Sequence, residues 1–159
     1  MNEILRLLER DCRISPREIA DITGGDETEV AAEITRLEHE RAIVKYSALI
    51  DWDKAGVGGV TALIEVKISP QRGDGYERIA ERIYQYDEVD SLYLMSGAFD
   101  LAVFISAPTM RHVSEFVFAH LAAIDGVTAT ATHFIMKKYK EKGCILDERP
   151  EQEERGLFV

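Results

Sequence analysis

Two apolar runs joined by a short glycine-containing turn constrain the fold of this chain more than any other stretch. Residues 92–96 and 101–105 are rich in leucine, valine, isoleucine and aromatic residues, and Gly97-Ala98-Phe99-Asp100 connects them. Glycine permits the backbone angles that a tight connection needs. Because two strands joined by a short turn pair in antiparallel fashion, the stretch predicts a hairpin within a buried sheet.

Asp100 stands at the rim of the second strand of this hairpin, directly before Leu-Ala-Val-Phe-Ile. A carboxylate in that position must find backbone donors, a cation or water, because an unpaired buried charge is costly. One interpretation is a turn that Asp100 stabilises through a hydrogen bond to the backbone. The other is a small-molecule site in which Asp100 receives an ammonium group.

The charge balance narrows the choice of partners. The 159 residues carry a net charge of −10, and 46 % hydrophobic content is sufficient for the core of one domain or two small ones. An acidic chain is not suited to indiscriminate binding of nucleic acid or anionic membranes, although a local basic patch remains compatible with it.

The cysteine usage and the lack of a recognisable targeting signal in this sequence indicate the compartment. Cys12 and Cys144 stand far apart, which favours a reducing environment over a disulfide framework or a metal site. No apolar run reaches bilayer-spanning length, and charged residues interrupt the N-terminus where a signal peptide would be apolar. We therefore expect a cytoplasmic protein without a membrane partner.

Residues 1–45 predict three short helices. An apolar stripe over residues 4–8 marks the first, and Ser15-Pro16-Arg17-Glu18 is a capping box that begins the second. Gly24-Gly25 ends the second helix, and Val30, Ile34 and Leu37 form one face of the third. Two helices joined by a short glycine turn are typical of a helix-turn-helix domain.

Residues 60–140 predict an α+β domain. An alternating strand runs from residue 60 to Pro70, a helical stripe covers residues 76–83, and the hairpin around Gly97 follows. A second helix with an apolar face over residues 113–124 and a last strand over residues 128–139 complete a ferredoxin-like βαββαβ order. Since both helices would cover one face of the sheet, we expect the other face to form a homodimer.

Two further segments flank that domain. Residues 46–59 form a linker, in which residues 46–52 alternate like a strand before three glycines. Residues 141–159 are acidic, with few apolar groups, and predict a solvated tail.

Two groups of motifs resemble the Lrp/AsnC (feast/famine) family of transcriptional regulators. The first spans residues 4–43, with Arg13-Ile14-Ser15, Glu18-Ile19-Ala20 and the stripe of the third helix; the second is Ser96-Gly97-x-x-Asp100-Leu101. The resemblance implies an N-terminal, winged-helix-like DNA-binding domain and a C-terminal domain that binds an amino acid or related effector. It also implies that the 46–52 strand pairs with its counterpart in a second subunit, and that dimers assemble into octamers or larger rings.

The resemblance also implies site residues. Contacts to double-stranded DNA are predicted for Arg17, Thr28, Ala32, Thr35, Arg36 and Arg41. Contacts to the effector are predicted for Tyr93, Gly97, Ala98, Asp100, Met110 and His133. Core packing is the alternative role for Tyr93 and Met110. No metal-ligand spacing, nucleophile–base pair or phosphate-binding glycine loop is present, so neither a cofactor nor an enzymatic activity is predicted.

Two departures from the family pattern concern DNA. The chain has Glu33 where the family usually carries arginine, and Arg41 where it usually carries glycine. Residues 1–45 hold seven basic and eleven acidic residues, a balance of −4. Acidic groups that face DNA phosphates oppose binding. The alternative hypothesis is therefore an effector-sensing oligomeric subunit whose DNA binding is weak or degenerate.

Overall fold

The structure is a computed structural model that describes residues 2–69 and 75–147, with only the backbone of residue 2. The chain divides into two units, residues 1–50 and 51–159. The division falls inside the predicted linker. None of the helices in the described ranges is long and apolar enough to cross a membrane.

Three helices form the first unit: α1 (Asn2–Arg10), α2 (Pro16–Thr23) and α3 (Glu27–His39). The predicted capping box is present, since Ser15 Oγ accepts from the Glu18 amide and the Glu18 carboxylate accepts from the Ser15 amide. Helix α2 ends at Gly24 in a left-handed conformation, with φ at 71°. The prediction of a helix-turn-helix domain is confirmed.

The core of this unit is small. Leu8, Ile19, Ala20 and Val30 are buried together, and Ile34 is among the half-buried residues that pack against them. These are the residues of the apolar stripes, so local periodicity alone identified the packed faces.

The segment between the third helix and the first strand of the next unit differs from expectation. Residues 41–59 contain no strand, so neither a wing nor the predicted 46–52 strand forms within this single chain. A lone strand leaves its amide and carbonyl groups without partners, which accounts for the result. Pairing with a second subunit remains a prediction.

The second unit has the predicted βαββαβ order. It contains β1 (Val60–Ile68), α4 (Gly75–Ile83), β2 (Val89–Leu94), β3 (Leu101–Ala107), α5 (Met110–Phe116) and β4 (Val127–Ile135). The four strands form one sheet in the order β2-β3-β1-β4, and every neighbouring pair is antiparallel. The ferredoxin-like fold is confirmed.

Alternate residues of β1 separate the two faces of this sheet. Ala62, Ile64, Val66 and Ile68 are buried in one core cluster with residues of both helices. The intervening residues point to the other face, on which neither α4 nor α5 packs. That bare face carries the apolar side chains Leu63, Tyr93, Ala102, Phe104, Ala129, Ala131 and Ile135, as the strand register shows.

Two features near the C-terminus were not predicted. Helix α5 continues as a π-helical turn over Val117–Leu121. Strand β4 ends at Ile135, and β5 (Lys140–Glu141) pairs with β6 (Cys144–Ile145) in a small hairpin. The prediction that the acidic tail begins at residue 141 was wrong, because Lys142 and Gly143 take the positive φ angles of a two-residue hairpin turn. Residues 148–159 lie outside the described residues.

Candidate functional site

The exposed face of α3 is the candidate DNA interface. Thr28, Ala32 and Thr35 are exposed and lie on the side of the helix opposite the buried Val30 and Leu37. In a helix-turn-helix domain the second helix presents such a face to the major groove. The centre of this face is therefore small and uncharged.

Arg36 lies on one flank of that face and is held by two carboxylates of its own helix. Its Nε and Nη2 donate to the two oxygens of Glu33 at 2.8 and 2.7 Å, and its Nη1 donates to Glu40 at 2.5 Å. These hydrogen bonds lower the pKa of Glu33 and raise that of Arg36. Glu33 was expected to act on DNA phosphates directly; in the structure it binds the arginine that would reach them.

The two other predicted cations are placed differently. Arg17 is exposed in the first turn of α2, and Arg41 is exposed just beyond the end of α3. Among the described residues neither takes part in a salt bridge. Arg41 has a left-handed backbone, with φ at 57°, which is unfavourable for a residue with a side chain.

Replacing Arg41 by glycine is expected to change stability and DNA binding in opposite directions. Relief of the left-handed strain should raise the free energy of unfolding by about 0.5–1 kcal/mol, after allowance for the greater freedom of glycine in the unfolded chain. Loss of the cation should weaken DNA binding. Urea unfolding and DNA titration measure the two effects, and Arg41→Asn is the control because asparagine tolerates this conformation without the charge. Unchanged affinity in both variants would remove Arg41 from the interface.

The turn between β2 and β3 is the candidate effector site. Leu94 pairs with Leu101, and the Met95 amide donates to the Asp100 carbonyl at 2.8 Å, which closes a loop over residues 95–100. The Asp100 amide donates to the carbonyl of Val66, so the turn is also tied to β1.

The Asp100 carboxylate is half-buried and already has two partners. Its Oδ2 accepts from the Ile68 amide at 2.7 Å, and its Oδ1 accepts from the Tyr76 hydroxyl at 3.3 Å. Burial, followed by the charge of Asp100, raises the pKa of Tyr76, which keeps the phenol protonated as a donor. Asp100 therefore does bind a backbone amide, as the first interpretation predicts. That amide belongs to a residue 32 positions away and not to the turn itself.

Gly97 and Ala98 expose their backbone on the outside of this turn. The φ of Gly97 is not positive, so the expected need for unusual backbone angles was wrong. A Cβ added at Gly97 would meet nothing within 4 Å. Within residues 2–69 and 75–147, neither amide of this pair donates a hydrogen bond. The turn thus contains two amides without an acceptor in the described chain and ends at a carboxylate.

Of the remaining effector candidates, Tyr93 lies beside this turn, whereas His133 and Met110 lie away from it within one chain. Tyr93 is 54 % exposed on β2 and stacks edge-on against Phe104. His133 lies on β4, three strands from β2, with its Nε2 3.3 Å from the Glu65 carboxylate. At about 4.8 Å per strand, roughly 14 Å separates those two strands. Met110 follows β3 and lies at the opposite end of the sheet from the turn.

Sequence analysis missed the two partners of Asp100. Ile68 and Tyr76 were assigned to a strand and to an apolar helix face, and both do lie there. A tyrosine on an apolar helix face needs a partner for its hydroxyl, and this is the signal that the sequence offers. Tyr76 also lines a cleft of about 550 Å³ between α4 and β2, together with Glu77, Ala80, Tyr84, Val89, Asp90, Ser91, Leu92, Leu94 and Leu101.

Two family models match the chain. Residues 2–38 match the AsnC-type helix-turn-helix domain, and residues 61–145 match the Lrp/AsnC ligand binding domain. The second match includes the hairpin of β5 and β6.

Known proteins of the same type align over nearly all of the chain. The uncharacterized HTH-type transcriptional regulator YugG of Bacillus subtilis is 47 % identical over 91 % of this chain and 88 % of its own length. A transcriptional regulator from Neisseria meningitidis, solved as a complex with L-Met, superposes with a TM-score of 0.71 at 24 % identity, covering 87 % of this chain and 89 % of that one. The leucine response regulatory protein of Mycobacterium tuberculosis gives 0.73 at 20 % identity, covering 88 % and 92 %.

The folds of the two units match the two domains that the family models describe. The YugG protein aligns with both domains. The chain belongs to the Lrp/AsnC family of transcriptional regulators.

Proposed function

We propose that this regulator binds double-stranded DNA through α2 and α3 and responds to a free amino acid held at the turn of residues 95–100. The observation that carries the proposal is that the Asp100 carboxylate and the amides of Gly97 and Ala98, which have no acceptor in the described chain, belong to one short turn. An amino acid presents an ammonium group and a carboxylate one carbon apart, so it needs an acceptor and donors close together. This turn supplies both.

The carboxylate of Asp100 keeps capacity for a ligand. Oδ2 makes the short bond to the Ile68 amide, whereas the bond from the Tyr76 hydroxyl to Oδ1 is long at 3.3 Å. An ionised carboxylate has about four acceptor positions, and an ammonium group can use those that remain. The L-Met complex of the Neisseria regulator supports an amino acid as the class of effector.

A homodimer through the bare sheet face completes the proposal. The apolar residues on that face would be covered by a second copy, as expected for an isologous interface. His133 and Met110, which lie far from the turn in one chain, would serve the ligand only if assembly brings them to the turn of another subunit. Further assembly of such dimers into octamers is proposed from the family resemblance. The unpaired Cys12 and Cys144 favour the cytoplasm as the location.

A second hypothesis remains supported by a specific observation. The carboxylates around Arg36 reduce the positive charge on α3, which favours an effector-sensing oligomeric subunit with weak DNA binding. Neither hypothesis requires chemistry on the ligand.

A ligand screen tests the proposal. Each of the twenty standard amino acids is added to the full-length protein, and the unfolding temperature is recorded. A ligand at one hundred times its Kd should stabilise the protein by about 2.7 kcal/mol, which is a measurable shift. The matching amide, which lacks the free carboxylate, is the control and should give no shift. DNA binding is then measured with and without the selected amino acid; the absence of a response to every amino acid would contradict an amino-acid effector.

A further inference from the structure

We propose that Glu33 and Glu40 mask Arg36, so that α3 approaches DNA without the use of its arginine and the two carboxylates set the DNA affinity. This inference rests on the proposed DNA-binding function of α3. It names positioning residues that act on DNA through Arg36.

The contacts around Arg36 occupy the edges with which a guanidinium recognises phosphate. Glu33 takes the Nε and Nη2 edge through both of its oxygens, at 2.8 and 2.7 Å. Glu40 takes Nη1 from the other side at 2.5 Å. Planar, two-bond recognition is the geometry that arginine also offers to a phosphate or to guanine. A DNA phosphate or guanine would therefore have to displace the Glu33 carboxylate, which already accepts two hydrogen bonds from Arg36.

The spacing along the helix explains why both carboxylates reach the same side chain. Glu33 lies three residues before Arg36 and Glu40 lies four residues after it, so all three share one flank of α3. The three groups sum to a charge of −1. A phosphate approaching this flank meets net negative charge unless the pairs open.

The centre of the exposed α3 face and the two other predicted cations are arranged differently. Thr28, Ala32 and Thr35 carry no charge, and Arg17 and Arg41 stand outside the described salt bridges. In this arrangement Arg17 and Arg41 make the phosphate contacts, and the flank of Arg36 contributes none. Removing the two carboxylates should add one phosphate contact.

The test compares four proteins on a fluorescent DNA duplex of roughly three helical turns and mixed sequence. Because phosphate contacts do not depend on sequence, the operator need not be known. The proteins are the wild type, Glu33→Gln/Glu40→Gln, Arg36→Met, and the triple variant. Affinity is measured by anisotropy over a series of salt concentrations, after thermal unfolding has shown that each variant folds.

We expect the released variant, Glu33→Gln/Glu40→Gln, to bind roughly tenfold tighter or more, the worth of one charge-assisted hydrogen bond. Its slope of log K against log salt should steepen by about 0.9, the value for one phosphate. Arg36→Met should leave the salt slope of the wild type unchanged, because a masked arginine makes no phosphate contact to lose. In the triple variant the gain in slope should disappear.

The matched control is Glu3→Gln/Glu9→Gln on α1, which removes the same charge without touching Arg36. An equal gain in that control would reduce the effect to net charge and overturn the masking role. A salt slope that becomes shallower by about 0.9 in Arg36→Met alone would also overturn it, since Arg36 would then contact a phosphate. If the double variant does not fold, Glu40→Gln alone should give a smaller gain of the same sign.

Failure of the inference and failure of the proposed function are distinguishable. If no protein binds DNA, the released variant included, masking is rejected and DNA binding by α3 fails with it. If the wild type binds and the released variant binds no tighter, masking alone is rejected. A released variant that binds where the wild type does not would support masking.

Discussion

Replacement of Asp100 by alanine should abolish any amino-acid-dependent thermal shift and also destabilise the C-terminal unit. The ligand loses its charged acceptor, a contact worth roughly 1.5–3 kcal/mol or about a ten- to hundredfold change in Kd. At the same time the Ile68 amide loses its acceptor at the end of β1. An unsatisfied donor of this kind costs about 1–3 kcal/mol in the free energy of unfolding.

Asp100→Asn separates these two effects. The asparagine carbonyl oxygen can still accept from the Ile68 amide, so we expect stability within about 1 kcal/mol of the wild type. The charge is gone, so ligand binding should still be lost. Asp87→Asn, at an exposed acid of the same unit, is the control and should retain both properties. Normal amino-acid binding by Asp100→Asn would leave the turn with a purely architectural role.

Phe104→Glu should convert the protein to a monomer. Phe104 lies near the middle of the bare sheet face, where its strand partners are Leu63 and Ser91 and neither is a cation. Closure of a second copy over this position would bury an unpaired carboxylate at a cost of about 3–5 kcal/mol. The dimer dissociation constant should therefore rise by roughly several hundredfold or more. Sedimentation velocity across a concentration series measures it.

Phe118→Glu is the matched control for that experiment. Phe118 is 82 % exposed on the helical side of the sheet, in the π-helical turn that continues α5. The same substitution there should leave at least a dimer. A Phe104→Glu protein that sediments like the wild type would show that the bare face is not the principal interface.

Sequence patterns of short range identified most of the secondary structure. The Ser15–Glu18 capping box and the glycine after α2 lie within a few residues of the backbone groups they satisfy, so their effect can be inferred locally. The Glu33–Arg36–Glu40 triad was available by the same logic, because residues three and four apart on a helix are neighbours. The departure from the family pattern at Glu33 predicts repulsion of DNA, but the nearest partner of Glu33 is the arginine three residues later in its own helix.

Contacts of long range could not be found in this way. The bond from the Ile68 amide to Asp100 joins β1 to the end of the β2–β3 turn, and only the pairing of β1 with β3 brings them together. The same topology separates Met110 from that turn by the length of β3. A family resemblance assigns residues to a site from their positions in the sequence. Which residues are neighbours in space depends on the register and direction of the strands.

The sequence by itself determined the two units, the order of their strands and helices, and the apolar faces, because side-chain periodicity and capping act over one or two turns of the chain. Tertiary structure decided what the polar residues do. Asp100 connects the turn to β1 and α4 through hydrogen bonds from Ile68 and Tyr76. Residues 46–52 have no strand partner in the described chain, and residues 140–145 form a hairpin instead of a tail. Each of these outcomes depends on which donor and acceptor groups the fold brings within about 3 Å of one another, and that distance is set by the packing of the whole unit.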